Sequence, residues 1–347
     1  MVILDVDSKG GYAAGHIPGA FLLADDDTAL WAKRSNTFIA GSAQVPDRSQ
    51  IDAIIRRANI DETSVVVLTG RDLSVVGRAY YTFRYWGFSR EHLKVLNGSK
   101  NSYVAAGFPL ETTEPKKPEP GIFSVCNLRP DLSIDQVRAT FQEMLAIAED
   151  TDSKTVIIDS RSSAEFSGKA AAASEPPLQK TIVAFEGHIK TAVNMEYRLL
   201  LEEGSALNPL RSREELIAAM GSAGIDKSAI SFTYSGNGFN SSITFLALDA
   251  VLRWPVKIYD GGWLEWGQMA SISNGGLLAE NSSLRTDIDS RSESITYNKS
   301  QGFIKQESFN SSVPSAELND MINRIDSTSC NSVGSGNKSL VPKAPGY

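Results

Sequence analysis

Cysteine and histidine are scarce: 347 residues hold two of the first, Cys126 and Cys330, and three of the second, His16, His92 and His188. Two cysteines make neither a disulfide framework nor a thiolate metal site, and sequence position alone leaves open whether they pair. A basic excess is also missing, since 34 Lys and Arg face 41 Asp and Glu for a net charge of -7, which argues against nucleic acid as a partner. No apolar run approaches the length of a membrane span. P-loop, dinucleotide and metal-ligand spacings are absent, so no cofactor is expected. Nor does a basic or apolar leader precede Met1-Val-Ile-Leu-Asp-Val6, which reads as a buried strand from its first residue. That start suggests a fold entered part-way and leaves the compartment, cytoplasmic or periplasmic, undecided.

What is present is a soluble composition, 41% hydrophobic, at a length that favours two domains. Four landmarks recur in the same order. Leu4-Asp-Val-Asp-Ser8 is echoed by Ile158-Asp-Ser-Arg-Ser162, and Gly15-His-Ile-Pro-Gly-Ala20 by Gly187-His-Ile-Lys-Thr-Ala192. Val65-Val-Val-Leu-Thr-Gly70 answers Ser231-Phe-Thr-Tyr-Ser-Gly236, and Val95-Leu-Asn-Gly98 answers Ile258-Tyr-Asp-Gly261. A duplicated unit is expected, the second copy having a longer insertion between Arg161 and His188.

Helical patterns at 50–59 and 73–86 in the first copy, and at 134–149, 212–223 and 241–252 in the second, alternate with short β-branched runs. The expected fold class is α/β, with parallel-rich sheets flanked by helices. A Pro-rich charged linker, Glu114-Pro-Lys-Lys-Pro-Glu-Pro120, separates domains at 1–113 and 121–272. Residues 273–347 are rich in Ser, Asn and Gly and are expected to be an extended tail, with one amphipathic helix near 315–325.

The most informative stretch is Ile230–Trp266. A strand, Ile230-Ser-Phe-Thr-Tyr234, leads into Ser235-Gly-Asn-Gly-Phe-Asn240 and then into a helix, so backbone N–H groups and a positive dipole end converge on one point. This is the pattern of an anion pocket, with Ser235 at its entrance. A second strand ends in Asp260-Gly-Gly-Trp263.

Tyr234-Ser-Gly-Asn-Gly and Tyr259-Asp-Gly-Gly-Trp-Leu-Glu-Trp266 together resemble the rhodanese (thiosulfate sulfurtransferase) family. The resemblance covers about residues 1–270 and implies two tandem rhodanese-like domains, of which the second holds the site. Family members place a cysteine first in the loop and carry sulfur on it as a persulfide. Here that position holds Ser235, whose hydroxyl stays protonated without a base and cannot relay sulfane sulfur.

The site set implied by the resemblance is Ser235 at the nucleophile position, with Arg161, Gly236, Asn237, Gly238, Phe239 and Asn240 around a small sulfur anion such as thiosulfate. Arg161 has two readings: a hold on the anion or loop, or a structural ion pair, for example with Glu165 one turn later. Asp7 takes its place in the first copy and Thr69 that of the nucleophile, so the first domain is expected to be structural.

A serine hydrolase is disfavoured. His16 and His188 belong to a repeated junction, and Thr233-Tyr234 precede the serine where a Gly-x-Ser-x-Gly elbow needs glycine. Trp263 and Trp266 are expected in the core, and Cys126 as a buried or incidental thiol. The functional expectation is a sulfurtransferase relative without sulfur transfer, acting as an anion-binding or protein-interaction module. The alternatives are an active enzyme using another thiol, such as Cys330, or a degenerate remnant.

Overall fold

A computed structural model describes residues 1–23, 44–46, 48–116, 118–128, 137–149, 154–168, 170 and 186–269. The sequence expectations for the 273–347 tail, its 315–325 helix and Cys330 lie outside these residues.

Two four-stranded parallel sheets are present. The first contains β1 (Val2–Asp5), β2 (Phe21–Leu22), β3 (Val66–Thr69) and β4 (Leu93–Val95) in the order β2-β1-β3-β4. Its crossovers are α1 (Lys9–Ala14), α2 (Arg48–Arg57) and α3 (Leu73–Tyr85), and α4 (Ser99–Ala105) follows β4. The second contains β5 (Thr155–Asp159), β6 (Val193–Asn194), β7 (Ile230–Tyr234) and β8 (Val256–Ile258), in the matching order β6-β5-β7-β8. Its helices are α5 (Phe141–Glu149), α6 (Ser163–Phe166), α7 (Arg213–Ser222), α8 (Phe239–Leu246) and α9 (Gly262–Met269).

The strands form where β-branched residues run together, and helices cover both faces as parallel strands require. Several boundaries move from the sequence expectation. The helix expected from Ile134 begins at Phe141, because Arg138 is drawn into a parallel bridge with Ile258 at the sheet edge. The helix expected over 241–252 starts at Phe239 and passes into a π-helical turn at Ala247–Leu252, closed by Arg253 at φ 59°.

The duplication is visible in geometry. His16 stacks on Tyr12 at 3.8 Å, and its Nδ1 lies 3.0 Å from the Tyr12 carbonyl. His188 stacks on Phe166 at 3.9 Å, with Nδ1 2.8 Å from the Phe166 carbonyl. Each histidine therefore pins the helix after the first strand of its sheet, as the repeated junction implied. Strand register corrects one equivalence. Asp5 pairs with Thr69 and Asp159 with Tyr234, so the counterpart of Ser235 in the first copy is Gly70, and Thr69 answers Tyr234. The sequence match slipped by one because both segments end in a hydroxyl residue and glycine, and only ladder pairing fixes the phase.

The two units meet along α3 and α8. Almost every α3 side chain is buried, since one side faces its own sheet and the other faces α8. At the crossing, a Cβ on Gly77 would come 2.9 Å from the Ser242 carbonyl, so glycine sets the approach. Tyr81 packs edge-on against Phe245 at 5.5 Å. From the second unit, Asp249 reaches across to Tyr80, Arg84 and Arg90.

Candidate functional site

β7 ends at Tyr234, and the chain then turns through Ser235-Gly-Asn-Gly238 into α8. Gly238 caps that helix at φ 89°, a left-handed conformation that glycine adopts at no steric cost. A Cβ there would meet Arg78 Nη1 at 2.9 Å and the Asp260 carbonyl at 3.1 Å.

The loop closes on its own serine. Ser235 Oγ accepts the Gly238 N–H at 3.1 Å and lies 3.3 Å from Ser241 Oγ. Ser241 and Ser242 both donate to the Gly238 carbonyl, at 3.2 and 3.0 Å. Asn237 Oδ1 accepts the Phe239 N–H at 3.3 Å. Ser235, Gly236 and Gly238 are buried, while Asn237, Phe239 and Asn240 are half-buried. The expectation of Ser235 at the entrance is thus corrected: its hydroxyl is turned inward onto the helix N-terminus.

A second helix end supports the loop from below. The Ser235 and Gly236 carbonyls accept the N–H groups of Trp263 and Leu264, at 2.8 and 3.0 Å, in the first turn of α9. Gly262 stands at φ 62°, where a Cβ would strike those carbonyls at 2.5 and 2.6 Å. The Gly-Gly-Trp turn noticed in the sequence is therefore a cap under the loop.

Arg161 forms a structural ion pair, as one of its sequence readings has it, with Asp159 rather than Glu165 as the partner. It is buried with Asp159, Nη2 to Oδ2 at 2.5 Å and Nε to Oδ1 at 3.0 Å, and Nη2 also donates to the Gly187 carbonyl at 2.6 Å. Its guanidinium lies 4.5 Å over the Trp263 ring. Glu165, the alternative partner, instead closes the N-terminal capping box of α6 with Ser162. Tyr234 donates to Asp159 Oδ2 at 2.6 Å. Burial together with the Asp159 charge pushes the Tyr234 phenol up. Burial opposes the Arg161 charge most strongly, but the charge and hydrogen bond of Asp159 together with Tyr234 and Glu165 outweigh it and raise that pKa. The i+2 spacing lets a strand-end aspartate take its cation from the following turn, one layer behind the loop. In the first sheet, where Asp7 replaces the arginine, Lys100 of α4 supplies the cation, 3.3 Å from Asp5 and 2.8 Å from Asp7.

Removing one member of such a buried pair strands the other's charge, so Arg161→Met is expected to cost about 3 kcal/mol. The melting temperature should then fall by roughly 6–12 °C. An unchanged melt accompanied by lost anion binding would return Arg161 to the binding site.

The cation beside the loop comes from the other unit. Arg78, in the middle of α3, is fully buried, with its guanidinium 5.8 Å over the Phe239 ring and 5.2 Å over Tyr81. Its Nη2 lies 4.0 Å from Asp260, which also accepts Arg138 Nε and the Val45 N–H, both at 2.9 Å. Sequence reasoning missed Arg78. The available signal was a charge whose helical neighbours three and four positions away, Ser74, Val75, Tyr81 and Thr82, are all uncharged.

This loop and fold have named relatives. Residues 140–269 match the rhodanese-like domain. A putative thiosulfate sulfurtransferase 1 from Mycobacterium bovis is 30% identical over 273 residues, spanning 78% of this chain and 89% of its own. The chain belongs to the rhodanese sulfurtransferase family. A probable 3-mercaptopyruvate sulfurtransferase from Schizosaccharomyces pombe is 27% identical, over 80% of this chain and 87% of its own length. The crystal structure of the 3-mercaptopyruvate sulfotransferase SseA from Escherichia coli shares the rhodanese fold at TM-score 0.58 and 22% identity, across 76% of this chain and 92% of that one.

Trp263 and Trp266 are buried as core, Trp266 packing on Phe141 at 5.3 Å. Cys126 is disulfide-bonded, which corrects its reading as an incidental thiol. No helix among the described residues is long and apolar enough to cross a membrane.

Proposed function

We propose that this rhodanese-family chain binds a small sulfur oxyanion, thiosulfate being the model, at the Ser235–Asn240 loop without relaying sulfur, and serves as a binding or interaction module. The proposed layout is two tandem rhodanese-like domains, residues 1–113 and 121–272, joined by a linker at 114–120 and followed by a tail at 273–347. The matching strand orders and the repeated histidine stacks support that layout.

One observation carries the functional reading: an oxygen, Ser235 Oγ, receives the Gly238 N–H at the helix terminus. Relatives named thiosulfate sulfurtransferase perform a transfer that needs a thiolate, and a hydroxyl at this point cannot form a persulfide. Arg78 beside Gly238 adds a cation to the donor side of the loop.

In a thiosulfate:cyanide assay the purified chain is expected to form no thiocyanate above the protein-free rate. Thiosulfate should nonetheless raise its melting temperature, as a ligand of the folded state does. Thiocyanate production by the unaltered chain in the absence of reductant would overturn the loss of transfer. Activity that appears only after reduction would instead point to the cysteines, since Cys126 is held in a disulfide.

A further inference from the structure

The chain carries three Asn-Gly pairs, Asn97-Gly98, Asn237-Gly238 and Asn274-Gly275, of which the first two fall among the described residues. Such a pair holds its own chemistry. The glycine nitrogen can attack the asparagine side-chain carbonyl, because glycine has no side chain to screen it, and the amide nitrogen then leaves as ammonia. Whether this happens in a folded chain depends on what else holds the asparagine. Asn97 is exposed, yet both ends of its amide are held across the unit boundary. Its Oδ1 accepts the Leu210 N–H at 2.8 Å, and its Nδ2 donates to the Leu210 carbonyl at 3.2 Å.

Asn237 sits in the anion loop and is half-buried. Among the described residues its side chain makes one hydrogen bond, local and long, in which Oδ1 accepts the Phe239 N–H at 3.3 Å. The ring that this bond closes includes the Gly238 nitrogen, the nucleophile the reaction needs. Nδ2, the group that must leave, is held by no other described residue. The Gly238 N–H points at Ser235 Oγ, 3.1 Å away, so an oxygen already receives the proton that this nitrogen must shed.

We propose that Asn237 is a self-modification site, at which attack by the Gly238 nitrogen turns a neutral amide into a carboxylate and closes the loop to anions. Water is the only co-reactant. The bond from the Gly238 nitrogen to Cγ forms as the Cγ–Nδ2 bond breaks. Ammonia carries off the displaced nitrogen with the Gly238 proton, and a five-membered imide remains. Water then adds to either imide carbonyl, restoring the Gly238 N–H and leaving aspartate or isoaspartate, with nothing oxidised or reduced. The new charge lies at the N-terminus of α8, where the helix dipole and the Phe239 N–H favour it. It takes the donors that an external anion would need, and repels that anion as well. This consequence rests on the anion reading of the loop; the modification itself does not.

The test stores the full chain beside a blocked Ser-Gly-Asn-Gly-Phe-Asn peptide at mildly alkaline pH. In tryptic digests the 228–253 fragment is expected to gain one mass unit, NH2 giving way to OH, with fragment ions placing the change at Asn237. The 95–100 fragment should change at least about tenfold more slowly, since two hydrogen bonds must open first. Thiosulfate should lose its stabilising shift in step with the modified fraction, while the melting temperature without thiosulfate holds or rises slightly. Asn237→Asp should lack that shift from the start, and Asn237→Gln should respond alike before and after storage. No gain at Asn237 once the free peptide has converted, an equal rate at Asn97, or a full thiosulfate shift in modified protein would each overturn the proposal. A thiosulfate shift absent from fresh protein would sink the anion reading and the closing step with it, while the mass change still decides the modification.

Discussion

Ser235→Cys is expected to turn the chain into a measurable thiosulfate:cyanide sulfurtransferase. The gain should be on the order of 10³-fold or more over the unaltered protein, the scale at which losing a nucleophile disables other enzymes. A thiolate at this atom would attack the outer sulfur of thiosulfate. The S–S bond of thiosulfate would break, sulfite would leave with the electron pair, and the cysteine would hold a persulfide. Cyanide would then take that sulfur as thiocyanate and return the thiolate, so atoms and charge balance without an oxidant. The surroundings favour this. The Gly238 N–H already points at the Ser235 oxygen, the α8 N-terminus lies behind it, and Arg78 stands beside Gly238. Sulfur is larger than oxygen and the site is closed, so the added volume must be taken up by rotation of Ser241 Oγ, now 3.3 Å away. A Ser235→Cys variant that melts like the parent yet forms no thiocyanate would sink the idea.

The second large effect is on stability. Asp249→Ala should destabilise the chain by about 2–3 kcal/mol and loosen the junction of its two units. Asp249 is buried and accepts from Tyr80 Oη at 2.7 Å, Arg84 Nε at 2.9 Å and Arg90 Nη2 at 2.5 Å, all three from the first unit. Breaking a fully buried pair costs about 3–5 kcal/mol, but the Arg84 and Arg90 side chains are 16% and 32% exposed, and water recovers part of that. Burial alone would raise the Asp249 pKa; hydrogen bonds from Arg90 and Arg84 outweigh it and hold the carboxyl below its ordinary value. A depressed folded-state pKa gives stability that is present above the unfolded value of about 3.9 and is lost as pH falls through the folded value. The gap between parent and variant in thermal melts should therefore be widest near neutrality and close in acid. A gap that persists unchanged at low pH would mean Asp249 acts by packing rather than charge.

Parallel sheets, paired units and the histidine junctions were legible in the sequence because each rests on local pattern: β-branched runs, turn glycines and repeated tetrads. The loop was legible for the same reason, from Tyr234 to Asn240. What the sequence hid was tertiary. Arg161 and Asp159 are two residues apart, yet nothing local says that the guanidinium folds back onto its own strand. Arg78 reads as one charge in a helix until α3 is laid across α8. The slip from Gly70 to Thr69 arose because a motif match carries no hydrogen-bond register. The delayed start of α5 traces to Arg138, whose bridge to Ile258 overrides a helical pattern that spans it.

The carbonyl contacts beneath the loop also bear on transplantation. A designer wishing to move residues 235–240 onto another scaffold would find them unable to travel alone. The Ser235 and Gly236 carbonyls accept the N–H groups of Trp263 and Leu264, and Gly262 is the residue that lets the two segments approach. The smallest portable unit is discontinuous, 234–242 together with 259–266. A graft of the first piece alone should arrive with two orphaned acceptors and a collapsed turn.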